Sequence, residues 1–523
     1  MRDFQMPGRS AVFASNAACA TSHPLAAKVA LDILAQGGTA ADAAIAGAVL
    51  LGICEPQMTG IGGDCFVLLK PAGEERVIGL NGSGRAPATL DAAALRAAGH
   101  AKMPIHGIET VTLPGAMDAF LRLHAAQGRL PLADVLAPAI HYAEEGVPVA
   151  PRVARDWAED ASVLQGDARA HYLLAGAAPQ TGQVFRAPGQ AEVLRRVARA
   201  GRAGFYEGEV AEDIIASLNA LGGGHSHADL AAVQADWTDP ITARYRRVDV
   251  LEHPPNGQGA TALLMLNILR QFDLAALDPF GAPRAHLEAE AAKLAYDARN
   301  RFIADPTARL DHMLAPETAA RLAALIDPHR AMPDPASLTE AVHKDTVYIT
   351  VVDRDRMAVS LIYSIFWGFG SGLASRKFGI IFQNRGAGFS LTPGHPNEAA
   401  GGKRPMHTII PGMMAQDGRV VMPFGVMGGA YQPCGHARLI TNLEDYGMDL
   451  QSAIDAPRCF AGPEGLKLER GYAPPMLNAL HAMGHRVQPA DEPLGGAQAI
   501  VIHPSGVLEA ASDPRKDGCA LGM

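Results

Sequence analysis

Between residues 347 and 366 two apolar runs flank a short charged interruption. Residues 347–352 (VYITVV) are β-branched and aromatic, Arg354-Asp355-Arg356 is polar, and residues 358–366 are apolar again. The pattern predicts an antiparallel hairpin of buried strands. A turn centred near residue 355 sets Thr346 across from Ser364, within side-chain contact. Two hydroxyls then face each other at the end of a buried strand pair. Periodicity alone favours the plainer description, a core hairpin that happens to begin with threonine.

The remaining pattern alternates helices and strands. Residues 24–35 read as a helix stopped by Gly37-Gly38, and Thr39 caps a second, almost wholly apolar helix over 40–52. So little polar surface places that helix inside a large core, where Ala and Gly allow close approach. Gly60, Gly62 and Gly63 form a loop before a buried strand at 65–69. Helices are predicted over 116–127, 132–145, 190–200 and 208–221, a strand over 245–250, and a helix from Gly259 whose Ala262, Met265, Leu266 and Leu269 share one face. Further helices span 285–301 and 316–325, followed by strands at 378–383, 407–410 and 419–424. A helix begins near Gly435, and a last strand pair turning at Gly506 precedes a polar tail.

A chain of 523 residues can bury large cores, and its 55 glycines and 37 prolines imply many defined loops. The net charge of -9 comes without any Lys/Arg stripe, which argues against a nucleic-acid binder. Six scattered cysteines lack CxxC spacing, so neither a zinc site nor a disulfide framework is indicated. The N-terminal residues lack a continuous apolar segment of the secretory kind, and the longest apolar stretch, residues 43–54, is too short to cross a bilayer. The expectation is a soluble, cytoplasmic protein with no membrane partner.

Candidate chemistry concentrates at Asp345-Thr346. A threonine at a chain start offers a hydroxyl nucleophile and an amine that serves as its base. Residues 326–344 are polar, contain proline and read as an accessible linker, as a cleavage junction requires. Gly428-Gly429, between a predicted strand and a predicted helix, could aim adjacent N–H groups at an oxyanion, although most such pairs simply turn the chain. His225 and His227 lack a third ligand or an acidic cluster nearby and are read as loop histidines, so no metal is expected.

In order and spacing these blocks resemble the gamma-glutamyltransferase family of N-terminal-nucleophile hydrolases. The matching stretches are GGTAADAAIAGAVL, GIGG at 60–63, PPNGQG, TVYITVVDRDRMAVS, FGSG, KRPMHTIIPGM, MGG at 427–429 and ASDPRKDG. The resemblance implies an α/β fold, a four-layer αββα sandwich, made as a proenzyme that cleaves itself between Asp345 and Thr346. It implies a large subunit of residues 1–345 and a small one of residues 346–523, which stay associated; a homodimer of processed units is an allowed assembly. Thr346 becomes the nucleophile, Ser364 the hydroxyl that orients it, and Gly428 and Gly429 the oxyanion donors, with no cofactor. The implied activity is hydrolysis or acyl transfer on a small amide or gamma-glutamyl-like substrate through an acyl-enzyme. Oxamate-like or cephalosporin-type amide hydrolysis, conventional glutathione hydrolysis and transfer, and a non-catalytic binding protein are the alternatives.

The departures bear on substrate. Where the family places an arginine for the substrate carboxylate this chain has Ser83, and the family's acid for the α-amino group falls at Gly388. An asparagine near the nucleophile falls at Phe366, and the paired serines at His407 and Thr408. The amino-acid clamp is therefore largely absent. Arg85 is expected either to supply a replacement cation or to hold its own loop's carbonyls, and His407 to offer a polar contact.

Overall fold

Near-unbroken apolar strands are stable only in sheets covered on both faces, and this chain covers them with four layers. The computed structural model describes residue 5 and residues 8–307, 309–333, 346–462 and 464–523. Asp345 and most of the expected linker therefore lie outside the described residues.

The strands of the two large sheets are, in chain order, β1 (Val12–Ala14), β2 (Ala18–Thr21), β3 (Asp64–Lys70), β4 (Ile78–Gly82), β5 (Asp236–Thr238), β6 (Ile241–Tyr245) and β7 (Val248–Glu252). They continue with β8 (Val347–Val352), β9 (Ala358–Ser364), β10 (Gly412–Gln416), β11 (Arg419–Met427), β12 (Gly496–Ile502), β13 (Leu508–Ser512) and β14 (Cys519–Gly522). One sheet runs β14-β2-β8-β9-β3-β4-β5 and the other β1-β13-β12-β11-β10-β7-β6. All neighbours in both are antiparallel.

Helices α1 (Pro24–Ala35), α2 (Ala40–Cys54), α3 (Ala116–Gln127) and α4 (Leu132–Glu145) cover the first sheet, sharing a core with Val347, Ile349 and Val351 of β8. Thr39 and Asp42 cap α2 reciprocally, and every residue of α2 is buried. One of its two glycines marks the contact: a Cβ on Gly47 would stand 2.4 Å from Ile349, so this helix rests directly on β8. Helices α5 (Gly259–Leu269), α6 (Ala282–Phe302) and α7 (Gln432–Glu444) cover the second sheet, packing on Val250, Phe424, Val426 and Ala499. Between the sheets lie Leu68, Val352, Met413, Ile500 and Ala510, with Phe66, Tyr348, Ile362 and Met427 toward one end. The expected αββα sandwich is present. Among the described residues no helix is long and apolar enough to cross a membrane.

Four local expectations change. The single strand expected at 245–250 is two strands, β6 and β7, because Arg246 turns the chain with φ of 48°. Residues 378–383 and 407–410 make only isolated bridges, Ala374 with Ile381 and Gly257 with His407. The polar tail ends in a strand after all, since β14 pairs with β2.

Candidate active site

The β8–β9 hairpin pairs Val347 with Tyr363, and the same register carried one residue further sets Thr346 level with Ser364. Both residues are fully buried. Side chains alternate along a strand, and Tyr348, Ser360 and Ser364 share the face that looks across to β11. Tyr348 Oη and Ser360 Oγ bond at 2.8 Å there, and Ser360 Oγ donates to the Phe424 carbonyl at 3.1 Å. Tyr348 lies so flat on β11 that a Cβ at Gly425 would meet its ring at 2.3 Å. Alternation thus turns Thr346 toward the end of β11, where Gly428-Gly429 follow.

Both glycines adopt positive φ, 121° and 53°, as the tight turn from β11 into α7 requires. Their peptide planes are pinned. Gly428 O accepts from Tyr431 N, Gly429 O accepts from Gln258 Nε2 at 3.0 Å, and Ala430 O accepts from the Tyr296 hydroxyl. In a trans peptide the N–H lies opposite the carbonyl, so the Gly429 N–H has a fixed aim. Gln258 is held in turn by Arg299, 3.0 Å from its Oε1, and donates also to Thr408 O at 2.6 Å.

Ser364 Oγ accepts from the Phe366 N–H at 2.9 Å and from Arg385 Nη2 at 3.3 Å. A hydroxyl has two acceptor positions and one proton, so with both positions engaged its proton is directed outward as a donor. Arg385, fully buried, also donates from Nη1 to Thr408 Oγ1 at 2.9 Å, and its guanidinium carbon stands 4.0 Å from the centre of the Phe366 ring. Phe366 holds φ of 86°, a costly conformation for a bulky side chain and one that clusters at functional sites.

Asp64, opposite Ser364 in the β9–β3 ladder, organises the floor. Its Oδ2 accepts from His407 Nε2 at 3.0 Å; its Oδ1 accepts from Gly84 N and Gln383 Nε2, each at 2.8 Å. Burial, then the Arg385 charge, hold the His407 imidazole down to about 3 despite Asp64, so it is neutral near pH 7. Its Nδ1 accepts from Ile409 N at 3.3 Å, which fixes the Nε2–H tautomer.

Of the residues singled out by sequence, Ser364, Phe366 and Thr408 gather around Arg385, and His407 joins them through Asp64. Ser83 is buried one layer away, where its Oγ accepts from Asn256 Nδ2 at 3.1 Å. Arg85 is engaged elsewhere: it pairs with Asp305 at 3.2 Å and donates at 3.1 Å to the carbonyl of Gly402, which lies in a loop distant in sequence and not in its own. Gly388 leaves no space for an acid, since even a Cβ there would stand 2.7 Å from Met406 O. Sequence reasoning passed over Arg385 and Asp64. The only signal for Asp64 was its place between GIGG and a buried strand; a lone Arg385 in QNRGAG gave none.

His225 is buried and bonds Val111 O at 3.0 Å, and His227 opens a short helix. Among the described residues the cluster with metal-ligand chemistry is His286, Glu290 and His485. Its atoms are used internally: His286 meets His485 at 2.7 Å and Asp327 O at 2.7 Å, while Glu290 accepts from Lys293 and from Met332 N at 2.8 Å each. Through Asp327 and Met332 this cluster fastens the chain just ahead of residue 334.

The profile of the gamma-glutamyltranspeptidase family matches residues 26–523. The glutathione hydrolase-like YwrD proenzyme of Bacillus subtilis is 34% identical over 96% of this chain and 97% of its own length. The oxamate amidohydrolase proenzyme of Klebsiella pneumoniae is 37% identical, over 96% and 97%. Among solved structures, a cephalosporin acylase from Bacillus halodurans superposes with a TM-score of 0.93 at 38% identity, covering 100% of this chain and 99% of that one.

Proposed function

The chain belongs to the gamma-glutamyltranspeptidase family of N-terminal-nucleophile enzymes, and from that membership we propose that it cuts itself between Asp345 and Thr346 and then hydrolyses or transfers the acyl group of a small amide. The pieces are a large subunit, residues 1–345, and a small one, residues 346–523, which remain together as one catalytic unit. In the maturation step Thr346 Oγ adds to the Asp345 carbonyl carbon and the amide becomes an ester. The C–N bond breaks as the ester forms, which frees the Thr346 amine; water then cleaves the ester, releasing the Asp345 carboxylate and restoring the Thr346 hydroxyl.

In turnover the amine takes the Thr346 hydroxyl proton as the oxygen attacks the substrate amide. The Ser364 hydroxyl orients that oxygen, and the N–H groups of Gly428 and Gly429 receive the charge that builds on the carbonyl oxygen. The leaving amine departs with the proton, and water or an acceptor amine resolves the acyl-enzyme. The observation that carries this reading is the Ser364 hydroxyl, level with Thr346 and with its acceptor positions filled by Phe366 N–H and Arg385.

The substrate is an amide acid that needs no α-ammonium. Gly388 has no room for the acid that would bind one, and His407 is neutral. In this the enzyme lies nearer in chemistry to the oxamate amidohydrolase and cephalosporin acylase relatives than to a glutathione hydrolase.

The test is maturation followed by trapping. Purified chain should resolve into two bands, the smaller beginning at Thr346, and a slowly hydrolysed amide should add one acyl mass to that fragment alone. Thr346→Ala should remain at the full-length 54.8 kDa and be inactive. A Thr346→Ala chain that matures normally would refute the reading.

A further inference from the structure

We propose that Arg385 binds the substrate carboxylate, and that its closeness to the nucleophile selects amides whose carboxylate is separated from the scissile carbonyl by at most one carbon. The inference rests on the amidohydrolase reading above and goes on to name the substrate class.

Three segments build the place. Arg385 begins the short turn 385–388, Phe366 follows β9, and Thr408 follows His407 in the loop ahead of β10. The guanidinium donates to Ser364 Oγ and Thr408 Oγ1, and its carbon stands over the Phe366 ring. Each terminal nitrogen carries a second N–H beyond the one given to Thr408 or Ser364, and the planar guanidinium matches a carboxylate in two-point geometry. The ring beside it restricts the guanidinium, and the Thr408 hydroxyl can serve the same anion.

Reach sets the length of the acyl group. A carboxylate on the fork stands roughly 2.8 Å from its nitrogens, and an attacked carbonyl carbon stands about 3–3.5 Å from its nucleophile. Arg385 Nη2 is 3.3 Å from Ser364 Oγ, and Thr346 is level with Ser364. Carboxylate and scissile carbonyl must then be near neighbours in the substrate. The half-amides of oxalic and malonic acid satisfy this when extended. A gamma-glutamyl group, with three carbons between the two functions, must fold back on itself, and its ammonium meets a cation instead of an acid.

The experiment uses the matured two-fragment enzyme. Oxalate, malonate, succinate and glutarate are titrated calorimetrically, and the corresponding half-amides are assayed for turnover. Oxalate or malonate should bind at least ten-fold more tightly than glutarate, with kcat/KM of the half-amides in the same order. Arg385→Gln should lose at least ten-fold in affinity for the short diacid, and Arg385→Lys should recover part of it. Glutarate binding as tightly as the short diacids overturns the proposal. So does an Arg385→Gln enzyme that keeps short-diacid affinity and loses only kcat, since that marks Arg385 as a residue positioning Ser364. If Arg385→Gln fails to mature, the wild-type length series decides alone. Ordered diacid binding without turnover of any half-amide supports the carboxylate site and refutes the amidohydrolase reading, so the two failures are told apart.

Discussion

Ser364 stands opposite Asp64 across the β9–β3 ladder, which ties the candidate catalytic hydroxyl to the most heavily bonded carboxylate of the site. Asp64→Ala removes the acceptor from His407, Gln383 and the Gly84 N–H, all buried. Each orphaned donor costs about 1–3 kcal/mol, so a large fall in thermal midpoint is expected. Asp64→Asn keeps the shape and the Oδ1 acceptor and should cost about half as much. Equal midpoints for wild type and Asp64→Ala would show that the carboxylate organises nothing.

Ser364→Ala should mature slowly and, once matured, acylate roughly 10- to 1000-fold more slowly, the scale of one positioned catalytic group. Single-turnover kinetics isolates the acylation step. Ser364→Thr keeps the hydroxyl and should restore most of the rate; an unchanged rate in Ser364→Ala would remove the residue from the catalytic set.

Burial holds His407 down to about 3 and His23, His253 and His485 down to about 4, against an ordinary value of 6.5. Between those limits the unfolded chain binds protons that the folded one refuses, so stability rises with pH. It is fully present above 6.5 and is lost as pH falls toward 4. Glu55, raised to about 7 by burial, works in the opposite sense, as do Glu252, Asp353 and Asp455, which burial also raises, while His106 and His225, lowered by burial, act with the other histidines. Thermal midpoints should therefore climb from pH 4.5 to 6.5, and His407→Gln should flatten the climb. A midpoint that falls over this range contradicts the assignment of these imidazoles as neutral.

Arg85→Ala breaks a pair whose side chains are 42% and 28% exposed. Such pairs contribute about 0–1 kcal/mol, so stability should barely move, and the KM for a carboxylate-bearing amide should stay within two-fold. A selective rise in that KM would return the substrate carboxylate to Arg85.

The sequence made the hairpin legible because β-branched residues, a charged turn and a fixed register act within twenty residues. Helices 24–35, 116–127 and 132–145 were legible to the residue because their caps and stops are local. What escaped depends on partners distant in the chain. Residues 378–383 have strand composition but pair only with the irregular loop at 371–375, whereas β14 has weak strand character and gains a ladder from β2, some five hundred residues earlier. Arg246 turns the chain without Gly, Pro or Asn to announce it. Arg385 is invisible for the same reason: Ser364, Phe366 and Thr408 become its neighbours only when the sheets close.

In the sheet that carries β8, β2 from residues 1–345 is flanked by β14 and β8, both from residues 346–523, and β9 is flanked by β8 and by β3. The other sheet is shared in the same way, with β1 at one edge and β7-β6 at the opposite end of four strands from the later segment. The proposed cut therefore yields two interlaced pieces with no cleavage plane between them. Parting them means tearing ladders on both sides of β2, which is global unfolding. Each mature molecule then keeps for life the two fragments it was synthesised with, and mixed populations of variant and wild-type enzyme do not trade them.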